Sequence, residues 1–150
     1  MFGSSVNCAR DKVVVDRKKR VTTLSRNGEP LEQWNLSDSG RPTPFGMALF
    51  GCATSETRVK GQCSLRLYSC RVYEYEDESP TPALKHEYLP YVAFDGAACL
   101  RDSQTGETFR NCGTGEFVYF ASDAAHRPDA LTVVGYEDDA MGQDVPCPPA

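Results

Sequence analysis

Long apolar runs are missing from this chain of 150 residues. None approaches the ~18 residues a membrane-spanning helix needs. The opening stretch "MFGSSVNCARDKVVV" lacks the apolar core of a secretory signal. Histidine is scarce, with His86 and His126 alone. "KHEYL" is not the H-E-x-x-H of a zinc protease, and no cysteine pair has C-x-x-C spacing or a histidine at zinc spacing, which argues against a structural zinc site. Positive charge is in deficit: 16 Lys and Arg against 21 Asp and Glu give a formal net charge of −5. The one basic cluster, Arg17-Lys18-Lys19-Arg20, reads as a solvated hairpin tip in an acidic chain, so no nucleic-acid partner is expected. The seven cysteines (Cys8, Cys52, Cys63, Cys70, Cys99, Cys112 and Cys147) are an odd number. At least one thiol therefore stays free or pairs between chains. Their number suits secretion while the N-terminus shows no signal, so cysteine content leaves the compartment open.

Helix periodicity is also lacking. What is present is short strand-like runs punctuated by Gly, Pro, Asn, Asp and Ser. "KVVVDRKKRVTTLS" reads as a hairpin, with strands at Val13–Val15 and Val21–Leu24 around a turn at Asp16–Arg20. "RNGEPLEQWNLSDSGRPTP" reads as a loop with a short extended piece near Leu31–Leu36. "FGMALFGCA" reads as a buried strand. "CSLRLYSCRVYEY" is the longest strand candidate, and its apolar face switches near Ser69, as a β-bulge would cause. "EDESPTP" is a charged turn, and "LKHEYLPYVAF" resumes extended structure, with Pro90 marking an edge or a bend. A meander follows: "AACLRD", a turn at "SQTG", "ETFRN", a turn at "CGTG", then "EFVYF". "LTVVGYE" adds a further strand, and the tail "DDAMGQDVPCPPA" carries no pattern. This places one domain over residues 1–122 and a short extra strand with a Pro-rich tail over 123–150.

Few of these motifs carry chemistry. Gly113-Thr114-Gly115 leads into a strand and not a helix, and lacks a following Gly-Lys-Ser/Thr, so it reads as a turn and not a phosphate loop. Glu74, Glu76 and Glu78 would alternate along one strand face about 7 Å apart. Jelly-roll glycosidases place two carboxylates that way, but this run continues into Ser79-Pro80, as a solvated turn does. Tyrosines beside carboxylates and amides suit sugar-binding surfaces, although most such rings in strands pack on a core.

"LRLYSCRVYE" followed by "EYLPYVAFDGAACLRDSQTGETFRNCGTGEF" resembles the C-terminal part of laminin-G-like, concanavalin-A-like jelly-roll domains of bacterial surface and phage tail-associated proteins. The matching positions are Arg66, Leu67, Tyr68, Ser69, Arg71, Val72 and Tyr73, then Pro90, Leu100, Asp102, Gly106, Phe109, Asn111, Gly113, Thr114, Gly115 and Phe117. Cys70, Cys99 and Arg101 depart from it, standing where an aromatic, a glycine and a tyrosine are usual. The resemblance implies an all-β antiparallel jelly-roll sandwich. It also implies that strands preceding the Val13 hairpin are missing, so the sandwich is incomplete and an uncovered sheet face favours self-association.

The expected function is a non-enzymatic binding or adhesion module for carbohydrate or a surface protein, located extracellularly or at a cell or virion surface. Tyr73, Tyr75 and Tyr91 are the candidate ligand-binding residues. No cofactor is expected; the resemblance allows Ca²⁺ at the sandwich rim, at no located position. The competing expectations are a jelly-roll glycoside hydrolase using Glu74 with Glu76 or Glu78, and a structural component of a phage tail or surface layer.

Overall fold

The computed structural model describes residues 10–36, 49–50, 52–55, 58–60, 65–111, 115–120, 127–135 and 145–146. Two compact units divide the chain, Met1–Pro42 and Thr43–Ala150. Among the described residues every regular element is a β-strand and every pairing is antiparallel. Among them, no helix is long and apolar enough to cross a membrane.

The first unit is a meander of β1 (Asp11–Asp16), β2 (Val21–Arg26) and β3 (Glu29–Asn35). The hairpin expected around the basic tip forms. The Lys19 N–H donates to Asp16 Oδ1 at 2.9 Å, and Arg20 closes the turn with φ 59°. The 29–35 stretch, expected to be mostly loop, is instead a full third strand. Asn27 and Gly28, with φ 50° and 86°, make the two-residue turn that Asn-Gly favours in hairpins. Pro30 is tolerated because β3 is an edge strand and the register shifts between Leu24 and Ser25, opposite it. Register puts Val13, Val15, Leu24, Thr22 and Trp34 on one face. Thr22 is buried there, while Val13, Val15 and Trp34 are exposed.

In the second unit, β4 (Cys52–Ser55), β5 (Arg58–Lys60) and β12 (Val145–Pro146) form one small sheet, ordered β12-β5-β4. The larger sheet is β6 (Cys70–Glu74), β7 (Ala83–Val92), β8 (Ala98–Asp102) and β9 (Thr108–Phe109), in sequence order. β10 (Glu116–Phe120) and β11 (Ala130–Val134) form a ribbon. Of "FGMALFGCA", residues 45–48 and 51 lie outside the described residues; Phe50 is buried with φ 64°. Among the described residues the longest strand is β7 and not the 63–75 stretch, of which residues 63–64 lie outside them. That stretch breaks at Tyr68 and Ser69, after an isolated bridge from Leu67 to Leu131, and β6 carries a further register shift at Val72/Tyr73. The break coincides with the switch in apolar face. Pro90 sits inside β7, where its missing N–H is harmless: β6 begins opposite Tyr88, so at Pro90 the strand has β8 alone as a partner.

The meander also ends earlier than its sequence rhythm predicts. β9 is two residues long, and β10 pairs with β11, not with β9. The physical reason is burial. Leu100 on β8 packs with Phe50, Leu131 and Val133, and Leu67, Tyr88 and Phe117 close the cluster. A β10 strand that continued the sheet edge-on would leave Phe117 and the Leu131/Val133 side chains without this apolar surface. Phe117 meets Phe50 at 5.7 Å, as a core anchor should, whereas Phe109 stands at the rim, edge-on to Tyr88 at 5.5 Å. Residues 112–114 of the expected "CGTG" turn lie outside the described residues; Gly115 takes φ 77°.

Leu131 is fully buried, so Leu131→Ala is expected to destabilise the chain by about 2–5 kcal/mol. Val13→Thr, at an exposed position, should stay within about 0.5 kcal/mol. Urea unfolding of the two variants checks the contrast.

Candidate functional site

The most ordered polar cluster lies at the end of β8. Asp102 is 1% exposed. Its Oδ1 accepts the Glu87 N–H at 3.1 Å and the Gln104 N–H at 3.0 Å. Its Oδ2 accepts the Thr105 hydroxyl at 3.1 Å and lies 2.7 Å from His86 Nδ1. The backbone adds the Asp102 N–H to the Glu107 carbonyl and the Gly106 N–H to the Asp102 carbonyl. "DSQTG" folds this way because an Asp side chain caps the N–H two residues on, and Gly106 supplies the φ of 78° that reverses the chain. One carboxylate therefore ties β7, β8 and the 103–106 turn together.

Burial alone would raise the Asp102 pKa, but the hydrogen bonds from His86, Gln104, Glu87 and Thr105 outweigh it and hold the carboxyl far below the ordinary range. With the carboxylate ionised, His86 Nδ1 is the donor in this contact. His86 stacks on Tyr88 at 5.8 Å and 13°. Such a dyad can orient a general base, yet no described side chain is hydrogen-bonded to it as a nucleophile. Cys70, opposite Tyr88 on the neighbouring strand, has its thiol pKa pushed up by burial, which is the wrong direction for a thiolate.

The outer face of the four-stranded sheet holds a second set. Arg71 Nε binds Glu87 Oε1 at 2.7 Å, and Ser103 Oγ donates to Glu87 Oε2 at 2.8 Å. The Arg71 and Ser103 hydrogen bonds hold the Glu87 carboxyl below its usual range. Tyr73 is exposed, two residues beyond Arg71 on β6. At the other end of β7, the Arg101 guanidinium lies 5.0 Å from the centroid of the Tyr91 ring. Cys99 is fully buried, opposite Tyr91. The candidate rings are thus not brought together. Tyr73 faces Leu84 and Tyr91 lies seven residues further along β7, on the order of 20 Å away at strand spacing. Tyr75 follows the end of β6 and is half-buried.

Glu74 ends β6, Glu76 pairs with Lys85 at 3.2 Å, and Glu78 sits in the turn with φ 64°. All three are exposed, as a solvated turn requires.

An open groove of about 700 Å³ lies at the β7–β8 turn. Gly96, Ala97 and Ala98 form one wall, Arg110 and Asn111 a second, and Glu116 to Tyr119 the third. Arg110 is fixed by Asp95 at 2.8 Å, and Asp95 also accepts the Ala97 N–H at 3.1 Å. Those two bonds, the Ala97 one foremost, depress the Asp95 pKa. Asn111 Nδ2 donates to the Gly115 carbonyl at 3.0 Å. Tyr119 shares the ribbon face of Phe117 and, opposite buried Leu131, keeps its ring exposed at the groove. Sequence reasoning missed Tyr119 and Arg110. Their convergence depends on β10 leaving the sheet, which no local pattern signals.

The described residues do not bring three or more His, Cys, Asp or Glu side chains together as a metal site. The rim Ca²⁺ allowed by the resemblance therefore finds no ligand set among them. No family model, curated protein or solved structure matches the chain.

The pH dependence follows from Asp102. Its folded pKa lies below the unfolded value of about 3.9, so the unfolded chain takes up the proton more readily. The stability it contributes is whole above that unfolded value and is lost as pH falls toward the folded one. Asp102→Asn is expected to lower the urea midpoint at neutral pH and to flatten its decline below about pH 4. Urea titrations across that range measure both effects.

Proposed function

We propose that the chain is a non-enzymatic binding module whose ligand is carbohydrate, taken at the groove between the β7–β8 turn, Arg110–Asn111 and β10. The observation that carries this is the meeting of Arg110 and Asn111 with the exposed Tyr119 ring in an open space of about 700 Å³. A pyranose offers one apolar face and a rim of hydroxyls. An exposed aromatic ring matches the face, and fixed amide and guanidinium groups match the rim. The Asp95–Arg110 and Asn111–Gly115 bonds set two of those groups before a ligand arrives, which lowers the ordering cost of binding. Tyr73 is a separate, exposed platform at the far end of the sheet, and Tyr75 stands near it in sequence.

A ribbon packing on one face of the four-stranded sheet, with Leu100, Leu131 and Val133 between them, supports a two-layer sandwich of the jelly-roll kind. An extracellular or surface setting goes with a glycan ligand. Self-association belongs to the same reading, because Val13, Val15 and Trp34 share an uncovered face of the first unit.

A glycan array probed with the intact chain should give selective binding, and Tyr119→Ala should reduce it about tenfold or more. Binding lost through Tyr73→Ala and kept in Tyr119→Ala would move the site to the far end of the sheet. A stable multimer with no glycan affinity would favour a structural component instead. Sedimentation velocity should show concentration-dependent association that Val15→Lys weakens.

A further inference from the structure

Tyr91 was expected to offer its ring to a sugar. One face of that ring is taken by the Arg101 guanidinium, 5.0 Å from the centroid. What this position presents to solvent is a cation held by an aromatic ring.

Arg101 also differs from its neighbours. On the same unit, Arg71 is paired with Glu87, Lys85 with Glu76, and Arg110 with Asp95. Arg101 has no carboxylate partner among the described residues; its ring contact is with Tyr91. It is exposed, and it stands opposite Leu89 on β7 and the exposed Thr108 on β9. Arg66 likewise lies over the Phe120 ring at 3.7 Å, but it lies outside the sheet that carries the groove wall. Arg101 lies near that wall. It pairs with Thr108 on β9, two residues before Arg110, and Arg110 lines the groove. A guanidinium has a planar fork of donors that matches a carboxylate with two parallel bonds, and stacking on a ring restricts its rotation beforehand.

We propose that Arg101, held over Tyr91 beside the groove, is the docking point for a sugar carboxylate, so that the module selects acidic over neutral oligosaccharides. This rests on the carbohydrate reading above and deepens it. The groove itself contributes no such preference, since Arg110 is balanced by Asp95 and Glu116 adds a negative charge. The selectivity therefore resides in Arg101.

The test is isothermal titration of the intact chain with three acidic ligands and their neutral counterparts. The pairs are oligogalacturonate and oligoglucuronate, each against its methyl ester, and sialyllactose against lactose. At least one acidic ligand should bind about tenfold tighter than its neutral partner, the scale of one charge-assisted bidentate contact. Arg101→Gln should abolish that preference while leaving neutral binding and the circular dichroism spectrum unchanged. Arg101→Lys should keep part of the preference. Equal affinity for acidic and neutral partners, or a preference that survives Arg101→Gln, overturns the role of Arg101 and leaves the carbohydrate reading standing. Absence of binding to every ligand of both kinds overturns the two together. Should Arg101→Gln perturb the spectrum, Tyr91→Leu, which keeps the charge and removes its platform, must weaken the acidic preference or the proposal fails.

Discussion

A single buried carboxylate organises the second unit. Asp102 draws donors from two strands and a turn: the Glu87 N–H and His86 ring on β7, and Gln104 and Thr105 beyond β8. Removing a charge from water is costly, and an ionised carboxylate without donors would be intolerable there. The four bonds reverse that sign, and they also fix the pairing. Any slip of β7 against β8 would separate Asp102 from the Glu87 N–H and would move Leu100 off the core face. The register that satisfies the carboxylate is the register that buries Leu100 against Leu131 and Val133. Polar and apolar demands agree, and such agreement between levels makes a fold specific.

The same register decides what reaches solvent. Residues that alternate with Leu100 and Asp102, namely Cys99 and Arg101, point to the outer face. There Arg101 meets Tyr91 and Cys99 lies beneath. At the end of the sheet, β10 crosses to the inner layer to cover the core, and the space it leaves beside Arg110 and Asn111 is the groove. The shape of this groove is thus a by-product of core coverage. Arg110 and Tyr119 belong to different layers, and they meet because Phe117 must reach Phe50.

Legibility from sequence followed the range of the interaction. The hairpin around the basic tip, the "SQTG" turn and the all-β class depend on neighbours a few residues apart, and they read correctly. The face switch near Ser69 marked a real break, because alternation is a local property. β3 was misjudged where two local rules conflicted: Asn27-Gly28 demands a hairpin, and Pro30 argues against a strand. The turn prevailed because an edge strand needs fewer donors. The Asp102 network was invisible because His86 lies 16 residues away in the chain and a lone Asp before a turn looks like any other cap. Tyr91 looked like an open ring because nothing local shows that Arg101, ten residues on, folds over it.

Cys99 gives the outer face one more property. Its side chain is fully buried on that face, with Sγ 3.5 Å from the Tyr91 carbonyl of β7, and burial, foremost among several influences, raises its pKa. An alkylating reagent meets neither access nor thiolate in the closed sheet. Modification of this sulfur therefore keeps time with the parting of the two strands and not with the intrinsic reactivity of a thiol. The molecule carries its own clock for the opening of its central sheet, placed next to the Tyr91 ring and the Arg101 guanidinium.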